Sequence, residues 1–529
     1  MSALNILLGL ATGFAAALLQ LRLLAWGGIA PDQRLAYWAF FLALGACAGI
    51  AGWLVGRVVS LRWMRAGRTL APIVALLAAG AIFARILPGN ATPLPNVLLL
   101  VTDTTRADHL SLYGYDRPTT PYLEELREES IIFTNAFSQG SHTIVSTPSI
   151  LASIYPSEHG VDSYNGVLAD RFTLLPEHLK SAGYDTFGFV TNPHVSAKNG
   201  FDQGFDTYEM LGKGTSVAVH APRVNRNALE WLDEREGDAP FFGFLFYTDP
   251  HAPYAVPDSV EKIFPPDPLA EPIDRWNVVR DGRADDAELA NMVAQYDESI
   301  RYWDARLRDF TGELAARGML ENTVLVYTSD HGEEFWDHEA YGHGSALYDE
   351  SIHVPLLLSF PSPVRLPRLP RARGVVEEVV SSVDLLPTIL ELLRLPKGEG
   401  SRGRSALPLV LPRLSEPDSG GERFAYCEEL LTQYGPYDIR CLRTRARKFI
   451  LILDMKGAIR EHDDLLFDME NDPGETTNII GRDQEESDGM LDRLALLINE
   501  HSLRAPEVVE QVELDEEHME QLEALGYID

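Results

Sequence analysis

The chain has 529 residues and carries 45 Lys and Arg against 78 Asp and Glu, a formal net charge of −33. That length exceeds one ordinary domain and is enough for a large core. The acidic balance argues against a nucleic-acid partner, whose phosphates call for clustered Lys and Arg, and three cysteines (Cys47, Cys427, Cys441) make no dense disulfide framework.

Residues 1–90 differ from everything after them, with seven arginines, no lysine and one acid (Asp32), a net of +6 that leaves −39 for the remainder. Three apolar spans, at about 4–28, 35–56 and 70–87, have the length of a bilayer core and predict transmembrane helices. Arg57, Arg62, Arg65 and Arg68 between the second and third spans place that loop in the cytoplasm. The expectation is a multi-pass protein of the cell (inner) membrane, anchored by residues 1–90. Everything after Pro88 would then be periplasmic or extracellular.

From Pro95 onward strands alternate with helices. Apolar runs at Asn96–Thr102, Thr186–Thr191, Phe241–Tyr247, Thr323–Thr328 and Val354–Phe360 read as strands. Thr120–Glu129, with Pro121 at a first helical position, and a longer stretch from about Asp286 to Arg317 read as helices. The expected fold class is α/β, a mostly parallel sheet sandwiched by helices, over residues 95–420. Ser362–Gly374 and Lys397–Gly421 read as surface loops. Residues 421–529 read as a small α+β subdomain and tail, with strands at Cys441–Thr444 and Lys448–Asp454 and a helix near Asp488–Ser502. A Cys427–Cys441 bridge is left open by the sequence.

Two of the strands end in metal-ligand chemistry. Thr323–Ser329 runs into Asp330-His331-Gly332, and Asn96–Thr102 runs into Asp103. Ligands of open α/β sheets bind outside the carboxyl ends of the strands. Carboxylate oxygens beside an imidazole nitrogen suit a divalent cation.

Further stretches stand in a fixed order. They are Arg106-Ala107-Asp108-His109-Leu110, Ser111-Leu112-Tyr113-Gly114-Tyr115 and Thr120-Pro121-Tyr122-Leu123, then Tyr155-Pro156-Ser157-Glu158-His159-Gly160-Val161. Asp249-Pro250-His251-Ala252-Pro253-Tyr254, Tyr341-Gly342-His343-Gly344, Val354-Pro355-Leu356, Asp384-Leu385-Leu386-Pro387-Thr388 and the run from Leu466 to Glu475 continue it. Over about residues 95–480 the chain thereby resembles the sulfatase family of the alkaline phosphatase superfamily. The resemblance implies an alkaline-phosphatase-like fold, with a divalent cation held by Asp103, Asp330 and His331. It implies further that His251 contacts the transferred group and that His343 stands near a substrate-contacting lysine of many sulfatases, where it can protonate a leaving oxygen. Asp249, Arg106 and His338 are weaker candidates, and Asp297 reads as capping or pairing within its helix.

The chain departs from the pattern in three places. Thr104 follows Asp103 where calcium sulfatases often carry a second aspartate, and His331 stands where they tend to have asparagine. Both changes favour Mn²⁺, Zn²⁺ or Mg²⁺, with Ca²⁺ less suited because it prefers six to eight oxygens. Counting back from Tyr155-Pro156 puts Thr143 at the nucleophile position, with Val145 and Thr147 at the proline and arginine of the family's Cys/Ser-x-Pro-x-Arg motif. Threonine cannot become formylglycine, so no formylglycine is expected. Thr147-Pro148 reads as the start of a helix one turn beyond Thr143.

Thr143, activated by a bound cation as well as by the helix end, would then transfer phosphoryl groups. The expected activity is a membrane-anchored, metal-dependent hydrolase or transferase of phosphate esters on a small molecule, lipid or glycan. Two readings stand beside it. One is a strict sulfatase, which would use Ser146 in a degenerate Ser-x-Pro-Ser register. The other is a catalytically silent binding domain.

Overall fold

The computed structural model describes residues 94–524 except 212–220, 255, 258, 265–285, 361–372, 412–419, 431–436 and 455–463. Thr92–Asp529 forms one compact unit. The three apolar spans of residues 1–90 lie outside the described residues. Among the described residues no helix is long and apolar enough to cross a membrane. The multi-pass inner-membrane localisation, with its periplasmic or extracellular catalytic part, is corrected on that finding. The two longest described helices, Asp286–Ala316 and Gln484–Ser502, are interrupted throughout by charged residues.

The strands, in chain order, are β1 (Asn96–Thr102), β2 (Ser130–Phe137), β3 (Asp185–Val190), β4 (Thr207–Met210), β5 (Phe241–Tyr247), β6 (Thr323–Ser329), β7 (Glu334–Phe335), β8 (Tyr341–Gly342), β9 (His353–Ser359), β10 (Gly374–Val376), β11 (Val380–Ser381), β12 (Ala425–Glu429), β13 (Tyr437–Arg443), β14 (Arg447–Asp454) and β15 (Leu465–Asp468). A nine-stranded sheet runs β10-β2-β9-β6-β1-β5-β3-β4, with β11 also paired to β2. Its centre, β6-β1-β5-β3, is parallel, and β9 runs antiparallel to both β6 and β2. The mixed α/β sheet agrees with the expected class. Every residue of β1, β5 and β6 is buried, which is why these segments read as unbroken apolar runs.

Helices cover both faces. Val97, Leu99 and Val101 of β1 point into one core with Ile144, Ile150 and Leu151 of α1 (Thr143–Ala152). Leu98 and Leu100 point into the other with Val224 and Leu232 of α2 (Ala221–Glu234) and Tyr296, Trp303 and Leu307 of α3 (Asp286–Ala316). The period-two alternation of β1 therefore divides its side chains between two cores.

A second, antiparallel sheet runs β12-β13-β14-β15, followed by α4 (Gln484–Ser502). Cys427 and Cys441 are free thiols in it, directly opposite each other. Asp297 does not pair within its own helix. It accepts from Tyr115 Oη at 2.8 Å and from Arg117 Nη1 at 2.7 Å, and lies 2.8 Å from His109 Nδ1.

Candidate active site

β1 and β6 pair in parallel with Thr102 opposite Ser329, so the next residue of each strand, Asp103 and Asp330, emerges side by side. Both are fully buried, as are His331 and Thr143. One ligating atom from each of Asp103, Asp330 and His331 lies within 4.8 Å of the others. Asp330 Oδ1 accepts the backbone N–H of His331 at 2.8 Å and of Thr104 at 3.3 Å, while Asp330 Oδ2 has no hydrogen-bond partner. His331 Nδ1 donates to the Gly332 carbonyl at 2.8 Å, which fixes the tautomer and leaves the Nε2 lone pair facing inward. That Nε2 stands 3.6 Å from Asp103 Oδ1 and 3.5 Å from Asp330 Oδ2.

The electrostatics fit a cation. Burial, reinforced by the charge of Asp330, pushes the Asp103 carboxyl well above its usual range, against the pull of His331 and Asn192. Burial raises Asp330 too and lowers His331, keeping the imidazole neutral. Two carboxylates that ionise reluctantly, a neutral imidazole and an orphaned carboxylate oxygen form a donor set that a divalent ion completes.

Thr143 opens α1, and its hydroxyl lies 3.4 Å from Asp103 Oδ1 and 3.3 Å from His331 Nε2. The helix begins here, with His142 as its N-cap, and not at Thr147-Pro148 as the sequence suggested; Pro148 sits inside it. The missing proline N–H forgoes one internal bond but leaves the first turn intact. Thr143 consequently occupies the positive helix end itself. Glu429 of β12 secures this start, accepting from Ser141 Oγ at 2.7 Å and Ser141 N at 3.2 Å, and it lies 3.3 Å from His142 Nδ1. Ser146 bonds back to the Thr143 carbonyl at 3.4 Å within the helix.

His251 and His343 join the cluster. The His343 ring lies 4.6 Å from that of His331 and 5.2 Å from that of His251. Each has its Nδ1 fixed by an oxygen at 2.8 Å, the Ala252 carbonyl for His251 and Glu333 Oε1 for His343. Glu333 is held in turn by Tyr254 Oη at 2.9 Å.

The weaker candidates have other partners. Arg106 is taken by Asp108, Asp337 and the Glu333 carbonyl. Asp249 Oδ1 accepts from Ala221 N at 3.0 Å, at the start of α2. His338 bonds Glu350 at 2.5 Å. Burial opposes its charge, but Glu350 outweighs that and raises it to about 9.

Sequence reasoning missed Asn192, which follows β3 and donates to Asp103 Oδ2 at 2.7 Å and to Thr143 Oγ1 at 3.4 Å. Its position just past the carboxyl end of a parallel strand was the available signal. Thr104 adopts a left-handed backbone (φ 56°) and sends its hydroxyl to the Pro250 carbonyl at 3.1 Å. A β-branched residue there is strained, a feature that clusters at functional sites.

The chain is similar to several known proteins. Residues 95–395 match the family described as Sulfatase, and residues 337–501 match N-sulphoglucosamine sulphohydrolase, C-terminal. Arylsulfatase K of Bos taurus is 26% identical, over 77% of this chain and 82% of the relative. An arylsulfatase of Clostridium perfringens (strain 13 / Type A) is 24% identical, over 74% and 91%. Among solved structures, the phosphonate monoester hydrolase of Agrobacterium radiobacter aligns with a TM-score of 0.61 at 21% identity, covering 80% of this chain and 98% of that one. With more than half its length matched, the chain belongs to the sulfatase family, a hydrolase family of the alkaline phosphatase superfamily.

Proposed function

We propose that this protein is a metal-dependent hydrolase or transferase of phosphate esters that uses Thr143 as its nucleophile. The reading rests on one observation, the Thr143 hydroxyl set at a helix N-terminus within 3.4 Å of both Asp103 and His331. Asp103, Asp330, His331 and Thr143 would hold one divalent ion, with Mn²⁺, Zn²⁺ or Mg²⁺ favoured by the mixed nitrogen and oxygen set. Such an ion supplies Lewis acidity and lowers the pKa of a bound hydroxyl. Thr143 Oγ1 attacks phosphorus, forming an O–P bond as the ester's bond to its leaving oxygen breaks. His343, oriented by Glu333, gives that oxygen a proton. His251 and Asn192 contact the transferred oxygens. Hydrolysis of the phosphothreonine, or its transfer to a second alcohol, regenerates Thr143.

A second reading, sulfate-ester hydrolysis, is favoured by relatives named arylsulfatase and by the matched family. It fits a sulfated small molecule or glycan as substrate. It would need formylglycine at Ser146, whose hydroxyl lies inside α1.

A paired panel of nitrophenyl phosphate and nitrophenyl sulfate, on wild type and Thr143→Ala, separates the readings. Phosphate turnover lost on the order of 10³-fold or more in Thr143→Ala supports the first. Sulfate turnover that survives the substitution supports the second.

A further inference from the structure

We propose that Cys427 and Cys441 are a redox-active pair that closes to a cross-strand disulfide, tying β12 to β13 next to the residues that hold the turn before α1. Antiparallel pairing sets the two residues opposite one another in register. Opposed residues in such a ladder have Cα atoms about 4.5–5.5 Å apart, inside the range a disulfide spans. Both thiols are fully buried in one small core with Phe137, Ile352 and Phe467. β12 is an edge strand, so the pair is reached by opening one side of a hairpin and not by unfolding the sheet.

Closure consumes two thiols. One attacks a disulfide oxidant such as glutathione disulfide and releases one molecule of thiol. The second displaces the other half. Two S–H bonds are lost, one S–S bond forms in the protein, and the oxidant's S–S bond takes up both electrons and both protons.

The consequence falls on the residues next to Cys427. Glu428 N donates to the Gln139 carbonyl at 2.8 Å, and Glu429 holds Ser141 and His142, immediately before Thr143. A bond at Cys427 braces the strand that supports the start of α1. The proposal stands independently of which ester the enzyme cleaves.

The test equilibrates the full-length protein with glutathione buffers of rising disulfide content, alkylates it under denaturing conditions and maps the peptides. The expected result is an unalkylated peptide pair joined through Cys427 and Cys441, with Cys47 alkylated. Alkylation of both residues at the most oxidising ratio, or separate glutathione adducts on each, overturns the proposal. Reductant should also lower the melting midpoint of oxidised wild type by a few degrees and leave Cys427→Ala and Cys441→Ala unmoved. Equal midpoints for oxidised and reduced wild type would show that the bond braces nothing.

Discussion

Gly332→Ala tests how His331, the proposed metal ligand, is held. A Cβ built at Gly332 lies 1.9 Å from the Glu350 carbonyl oxygen and 2.9 Å from its carbon. Real Cβ contacts essentially never fall under 3.0 Å, so backbone must separate by about 1.1 Å at this point. The segment has little freedom, because Gly332 N donates to Ser351 O at 2.8 Å and Glu333 N to Glu350 O at 3.1 Å. Breaking that pairing and overpacking the site should cost about 1–3 kcal/mol. The same shift moves the Gly332 carbonyl, which anchors His331 Nδ1. A displacement of about 1 Å at a catalytic group is worth about 10²-fold in rate. Thermal melting, metal content and turnover of the purified variant measure the three effects. A variant with wild-type metal content and turnover would refute the claim that the glycine positions His331.

Three other outcomes follow from the same structure. Burial pushes His159 down to about 3, against the pull of the Val145 carbonyl that accepts its Nε2–H, while Nδ1 accepts from Val161 N. Its folded pKa lies below the unfolded value of about 6.5. Stability is therefore complete above pH 6.5 and falls as pH drops, by about 2 kcal/mol between pH 7 and 5; an unchanged slope in denaturation of His159→Asn over that window would contradict this. Asp330→Asn should abolish metal uptake, measured by elemental analysis, yet raise the melting point of the metal-free protein at pH 8. A carboxylate raised in the folded state stabilises only below its unfolded pKa, and that stability is lost as pH rises through the folded pKa; a fall in that melting point would refute it. Lys448, fully buried, pairs with Asp349 at 2.8 Å and Glu475 at 2.7 Å. Asp349 keeps Arg443 at 3.2 Å, but Lys448→Met leaves buried Glu475 without a cation; it should cost about 3–5 kcal/mol in urea denaturation, and a loss under about 1 kcal/mol would contradict the pairing.

The sequence was most readable where one physical constraint acted alone. β1, β5 and β6 are buried on both faces, so their apolar runs marked them, and their ends marked Asp103 and Asp330. β2 was missed because Thr134 and Asn135 interrupt it where its pairing with β9 shifts register. β12 was missed because it ends in two buried glutamates, whose partners lie on the neighbouring strand and in the segments before and after α1. Pro148 suggested a helix start, but Glu429 and the turn before Thr143 set that start earlier. Asp297 finds its partners in a segment about 180 residues away, which no local pattern reveals. Asn192, before a proline, reads locally as a turn residue; only the packing of β3 beside β5 brings it to Thr143.

The most direct test of the central claim is peptide mass spectrometry of the metal-loaded enzyme, acid-quenched during turnover of a phosphate ester. The account predicts a phosphate on Thr143 that is absent without substrate. Formylglycine at Ser146 with Thr143 unmodified throughout would contradict it.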